Sequence, residues 1–125
     1  MTTATEGTAR TRDEAHDLIA SDRVEGTAVY NRAGEKLGTI SKFMVGKRSG
    51  RVEYAVMSFG GLFGMGAREY PLPWNALDYQ PDKGGYVVDL DKDRLKDAPS
   101  FERGSDPTYD RDYGQRVYTY YGIYY

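Results

Sequence analysis

The chain has 125 residues, which suits a single domain, because separate cores usually need on the order of 100 residues each. Its formal net charge of −2 excludes a global positive field for nucleic acid, and the lack of cysteine excludes disulfides, thiolate metal sites and cysteine catalysis. No apolar run approaches the roughly 18 residues of a membrane span. The first 20 residues also lack a secretory pattern, so we expect a cytoplasmic protein without membrane insertion.

The first patterned segment begins near Val24. Residues 1–20 are rich in Thr, Ala and charged side chains, and we expect them to form an arm. Residues 24–30 then carry β-branched and aromatic side chains, which are typical of a strand. Asn and Gly within residues 31–34 suit a reversal, so a turn follows this strand.

Two further strands are predicted between residues 36 and 58. Residues 36–45 alternate imperfectly, and Gly38 indicates a bend or bulge there. A polar tip at 46–50 has glycine at both ends, and residues 51–58 resume as a strand. This strand becomes apolar on both faces, so we expect it to lie centrally in the sheet.

The second half of the predicted sheet is irregular. Residues 59–66 form a loop with four glycines and, after Phe59, three large apolar side chains, and residues 67–73 are extended, with two prolines that place them at an edge or strand end. Residues 74–77 fit a short helical turn, 86–90 a last strand, and 91–96 a capped turn. Five to six short strands predict an all-β fold, a small β-barrel.

The composition changes again after Phe101. Residues 102–107 have the composition of a linker, and residues 109–125 contain seven tyrosines. Asp110 suits the cap of a short helix that would carry four apolar or aromatic residues on roughly one side: Tyr113, Val117, Tyr120 and Tyr121. We therefore divide the chain into an arm (1–20), a barrel (21–101) and a Tyr-rich tail (102–125).

Five short motifs lie in one order between residues 21 and 101: VYN at 29–31, GEKLG at 34–38, YAVMSFGG at 54–61, PLPW at 71–74 and YVVDL at 86–90. In this order they resemble the PRC-barrel family. The Gly-Gly loop and the Pro-Trp step after it are the most specific parts of the resemblance.

The resemblance implies a small β-barrel of the PRC type. That barrel occurs in the cytoplasmic part of the photosynthetic reaction-centre H subunit and as the C-terminal barrel of the ribosome-maturation factor of the small subunit. The family has no shared catalytic constellation, and its members mostly dock onto other macromolecules. This sequence lacks the membrane helix of the first and the additional N-terminal barrel of the second, so it looks like a stand-alone bacterial member.

No catalytic, metal or cofactor site is expected from the motifs. Ala67 and Arg68 follow Gly66, where a phosphate-binding loop needs Lys and Ser or Thr. Residues 89–93 begin like a calcium loop, but they lack its glycine and its final glutamate. The single histidine, His16, has no nucleophile at a recurring spacing. We therefore expect a protein that is not an enzyme.

Two apolar segments are candidates for a protein interface: the loop residues Leu62, Phe63 and Met65, and the tail residues Tyr113, Val117, Tyr120 and Tyr121. Each segment either packs on its own barrel or docks a partner.

The preferred hypothesis is a non-catalytic, homodimeric interaction or assembly module. The alternative is an RNA- or ribosome-associated maturation-type factor, which would use the basic residues Lys42, Lys47, Arg48 and Arg51. Acidic residues elsewhere disfavour nucleic acid.

Overall fold

The structure, a computed structural model, describes residues 18–60 and 67–124. Its elements within these ranges are, in chain order, α1 (Ser21–Val24), β1 (Ala28–Tyr30), β2 (Lys36–Val45), β3 (Val52–Gly60), β4 (Ala67–Pro73), a 3-10 turn (Trp74–Ala76), β5 (Leu77–Gln80), β6 (Gly85–Val88), α2 (Lys92–Leu95), β7 (Phe101–Glu102) and α3 (Arg111–Tyr120).

The strands form one sheet in the order β5-β6-β1-β2-β3-β4-β7. All neighbours pair antiparallel except β1 and β6, which are parallel. Leu72 of β4 and Val88 of β6 share one buried core although three strands lie between β4 and β6, so the sheet must curl. It does not close, because β5 and β7 are not paired with each other. The all-β prediction is therefore confirmed, with β5 and β7 as the free edges of an open, barrel-like sheet.

The described strands number seven, more than the five to six expected. The expected helical turn at 74–77 ends at Ala76, and Leu77 begins β5. Leu77 and Tyr79 alternate with polar residues in β5, which is a strand signal that the prediction missed. Strand β7 has only two residues, too few for any periodicity.

Strand β3 lies between β2 and β4, which confirms its predicted central position. Ala55 and Met57 face the main core, whereas Tyr54 faces a second cluster beneath α3. The strand is apolar on both sides because one side packs into the main core and the other packs against α3. The bulge predicted near Gly38 is also present: Val29 pairs with Gly38 but Tyr30 pairs with Lys36, so the register shifts there.

The prolines of β4 lie where the predicted edge requires them. Strand β4 pairs with β3 along its whole length, but β7 pairs only with Arg68 and Glu69. On that side β4 is therefore unpaired along Pro71 and Pro73, where a missing N–H breaks no ladder.

Candidate functional site

The three loop candidates Leu62, Phe63 and Met65 lie outside the described residues, as does His16. Gly60 pairs with Ala67, so residues 61–66 connect β3 and β4. This connection lies at the opposite end of β3 from the turn between β2 and β3. Its proposed role as an interface stays a prediction.

The four tail candidates contact their own chain. Val117 is 0% exposed, and Tyr113, Tyr120 and Tyr121 are half-buried. Helix α3 begins at the Asp110 cap, whose side chain accepts a hydrogen bond of 2.9 Å from the Tyr113 N–H. The Tyr120 hydroxyl donates to the backbone oxygen of Arg94. In this conformation Val117 has no surface for a partner, and the three tyrosines offer only part of theirs.

Three of the four basic candidates form one exposed group. Lys47, Arg48 and Arg51 are exposed in the turn between β2 and β3. Lys42 is separate from this group, because its ammonium pairs with Asp106 and lies 5.9 Å from the ring centre of Phe101. Within the described ranges, none of the three turn cations makes an ion pair.

An apolar cleft of about 490 Å³ lies beside this turn. Four of its lining residues expose large apolar surface: Leu18 is 85% exposed, Val45 51%, Ile19 43% and Tyr79 39%. Val52, which pairs with Val45, lines it as well. Segments far apart in sequence thus form one continuous apolar surface.

The floor of the cleft is aromatic and packed. The rings of Phe43 and Trp74 meet edge-to-face at 5.4 Å, and Trp74 contacts Tyr86 at 5.6 Å. Tyr79 closes the row against Tyr86 at 5.3 Å. Burial, followed by the neighbouring Tyr79, raises the pKa of Tyr86, so its hydroxyl stays neutral at ordinary pH. This row gives the cleft a preorganised floor.

Sequence reasoning missed this cleft. Trp74 is half-buried, packs against the main core and also lines the cleft. The available signals were the apolar pair Leu18 and Ile19 before the first strand and the valines on both sides of the polar turn. None of these signals states that the segments meet.

A buried carboxylate, Glu69, lies on β4 with 3% exposure. The Ser41 hydroxyl donates to its Oε1 at 2.7 Å, and Arg103 lies 3.4 Å from its Oε2. Arg103 also donates to the Ser58 hydroxyl. Through Arg103, Glu69 ties the linker after β7 to the sheet. Because both of its carboxylate oxygens have partners, Glu69 is not positioned to act as a general base.

Three tyrosine hydroxyls in α3 and next to its two ends are buried without a hydrogen-bond partner in the described part of the chain: those of Tyr109, Tyr113 and Tyr121. Burial is the main cause that raises the pKa of each. Their rings nevertheless pack closely, with Tyr109 and Tyr113 at 5.4 Å. The tail cluster is therefore held by ring packing more than by hydroxyl bonds.

Across residues 18–60 and 67–124, no group of three or more His, Cys, Asp and Glu side chains is arranged to hold a metal ion. In the same ranges, no helix has the length and apolarity needed to cross a bilayer.

The family model described as the PRC-barrel domain matches residues 16–95. An uncharacterised protein of Deinococcus radiodurans is 32% identical over 76 residues, which cover 61% of this chain and 27% of that protein. The chain thus spans about a quarter of that relative's length.

Among solved structures, the fold is similar to the Pseudomonas aeruginosa chain named as 16S ribosomal RNA processing protein RimM. The identity is 21% and the TM-score 0.40, over 65% of this chain and 49% of that one. The chain spans about half of that protein's length. A likeness of this degree says nothing about function.

Proposed function

This chain is a member of the PRC-barrel family, and from that premise we propose that it is a non-catalytic interaction module that binds a protein partner through the apolar cleft. The observation that carries the proposal is the exposed apolar surface around Val45 and Leu18. Contiguous exposed apolar patches on soluble proteins usually mark interaction sites. The cleft's volume also falls in the range of ligand-binding pockets, about 300–1,000 Å³.

The aromatic floor supports a protein partner. Tyr and Trp are enriched at interfaces and at their energetic centres, where they supply large rigid contact area. Trp74 and Tyr79 lie in such a position, with the aliphatic side chains of Leu18 and Val45 around them. The proposed absence of catalysis is supported by Glu69, whose two oxygens are both occupied. The cytoplasmic location and the absence of a cofactor stay predictions.

Site-specific photo-crosslinking tests the proposal. A photoreactive residue replaces Tyr79 in the cleft or, as the matched control, the exposed Tyr124 outside it. We expect one protein species to crosslink from position 79 in cells that express the chain natively, and not from position 124. The crosslink should disappear on Val45→Glu. Equal crosslinking from both positions, or none from position 79, would contradict the proposal.

We also propose self-association through residues 61–66, as a homodimer. The support is the sequence itself, since Leu62, Phe63 and Met65 place three large apolar side chains between Gly60 and Ala67, the paired ends of two strands. Sedimentation over a wide concentration range tests this directly. We expect a dimer that the combined substitution of these three residues by serine converts to monomer, and a monomeric parent protein would rule the dimer out.

RNA binding is a second candidate, favoured by the exposed cations Lys47, Arg48 and Arg51. Three phosphate contacts to a single strand would give a slope of about −2 for log K against log salt. Binding to ribosomal RNA with that slope, weakened by Lys47→Glu with Arg48→Glu, would support it. Absence of binding at low salt would remove it.

A further inference from the structure

We infer that the occupant of the cleft is a peptide segment of a partner protein that inserts large apolar side chains and carries carboxylates beside them. The inference rests on the proposed function, since it names the chemistry of the partner at the same cleft. It combines an apolar cleft with positive charge at one rim that makes no ion pair among the described residues.

The charge comes from the turn between β2 and β3. Gly50 of this turn lines the cleft, and the turn is closed by the pairing of Val45 with Val52. Lys47, Arg48 and Arg51 flank Gly50, and residues 46–52 contain no acidic residue. Because these cations make no ion pair within the described ranges, a carboxylate docked at this rim would meet positive charge that no described carboxylate neutralises.

The walls of the cleft favour a peptide over RNA. Single-stranded RNA binds by stacking its bases on exposed aromatic faces. Leu18, Ile19 and Val45 form aliphatic walls, and among the rings that line the cleft only that of Tyr79 is exposed, which is too little for a run of stacked bases. The floor rings of Phe43 and Trp74 pack edge-to-face with one another, so they present a packed row to the cleft. Leucine, phenylalanine or methionine side chains fit such a surface better than a base does.

The chain's own segments outside the described ranges match this chemistry poorly. Residues 1–17 contain one large apolar residue, Met1, which is too little to fill the cleft. Residues 61–66 are apolar but carry no carboxylate, and the next charged residue, Arg68, has the same sign as the basic rim. Within one chain the segment starts at Gly60, which lies roughly 26 Å along β3 from Val52. A different protein is therefore the better match.

The basic rim gives the bound segment a direction. Lys47, Arg48 and Arg51 are exposed at the turn, whereas Asp78 alternates in β5 with the lining residues Leu77 and Tyr79 and therefore faces away from the cleft. The bound segment should have its carboxylates at the turn and its apolar side chains over Trp74.

Selection from a random peptide display library tests the inference with the full chain as bait. Peptides that also bind the Val45→Glu variant are discarded, so only ligands of the cleft remain. We expect enrichment of sequences that combine at least two large apolar residues with adjacent Asp or Glu. Binding of a selected peptide is then measured through the fluorescence of Trp74, the only tryptophan of the chain.

A charge reversal provides the decisive control. Lys47→Glu with Arg48→Glu should weaken the selected peptide about tenfold or more, and added salt should weaken binding to the parent chain. The matched variant Lys92→Glu with Lys96→Glu makes the same change in net charge at the two ends of α2, and neither residue lines the cleft. It should leave the affinity within about twofold of the parent value.

The outcomes separate this inference from the proposed function. If enriched peptides bind the cleft without acidic residues and ignore the charge reversal, the inference fails and the proposed function stands. If no peptide depends on Val45, both fail. If a uridine oligonucleotide binds in a manner that depends on Lys47 and Arg48 while peptides do not, the turn serves RNA and the inference is overturned.

Discussion

The Tyr-rich tail and the apolar cleft consist of similar residues but have opposite fates in the fold. In the tail, Val117 is completely buried against Tyr54, and the Tyr118 hydroxyl donates to the Glu53 backbone oxygen at 2.7 Å. In the cleft, Val45 stays half exposed next to Trp74. Apolar composition therefore does not identify a docking surface. The difference between the two regions is that, among the described residues, an element of the same chain covers one and none covers the other.

The linker, residues 102–107, explains why the tail helix α3 packs against the sheet. Arg103 reaches Glu69, and Lys42 pairs with Asp106, so both contacts hold the linker along the outer face of the sheet. Helix α3 then starts close to the apolar outer face of β3, and packing it there costs little additional chain entropy. The short helix α2 that follows β6 places Leu95 in the main core and contributes no residue to the lining of the cleft.

The largest contrast between the two regions is expected at alkaline pH. Burial raises the pKa of Tyr109, Tyr113 and Tyr121 in the tail cluster, but only that of Tyr86 near the cleft. A raised pKa means that the folded state holds the phenolic proton more tightly than the unfolded chain does. The resulting stability is complete below pH about 10 and is lost as the pH rises above that value.

We therefore expect the tail to detach first above this pH. Tyrosinate absorbance should change cooperatively, before the fluorescence of Trp74 reports loss of the cleft. If all tyrosines titrate near their ordinary pKa while the protein remains folded, the tail is not packed as described.

A matched pair of valine truncations sharpens the comparison. Val117→Ala removes two buried methyl groups and leaves a cavity, so the free energy of unfolding should fall by about 2 kcal/mol. Val45→Ala acts on an exposed side chain, so it should change that free energy by less than about 0.5 kcal/mol. Denaturant unfolding measures both. Equal losses would mean that the cleft is part of the core.

A pair of hydroxyl deletions tests which tyrosines bond and which only pack. Tyr118→Phe removes a donor and leaves the Glu53 carbonyl without it, which should cost about 1 kcal/mol. Tyr113→Phe removes a buried hydroxyl that has no partner within the described ranges, so stability should stay equal or rise. Thermal unfolding of both variants is the measurement, and the reverse order would contradict the assigned contacts.

The smallest effect is expected at the rim of the cleft. Tyr79→Ser should lower the free energy of unfolding by at most about 1 kcal/mol, since the ring is 39% exposed but packs on Tyr86, and it should reduce binding of an environment-sensitive apolar dye. Tyr124→Ser is the matched control, because that tyrosine is fully exposed outside the cleft. Equal dye binding by both variants would show that the dye does not report on the cleft.

Local rules predicted much of the sheet. Gly38 predicted the bulge, and a Cβ there would overlap the backbone oxygen of Ser58. The prolines predicted the edge side of β4, and Asp110 the start of α3. Strand β7 was missed because its pairing with Arg68 and Glu69, not its own pattern, makes it a strand. The candidate site was missed for the same kind of reason, since its walls come from separate segments.

By itself, the sequence determined the features that depend on neighbours along the chain: strand alternation, the turn at Gly34, the helix cap at Asp110 and the motifs of the PRC-barrel family. Only the tertiary structure decided the parallel pairing of β1 with β6, the cover over the outer face of β3 and the cleft beside Val45. The physical reason is that burial is a property of pairs of surfaces. A side chain's own sequence neighbours do not specify which distant segment will cover it.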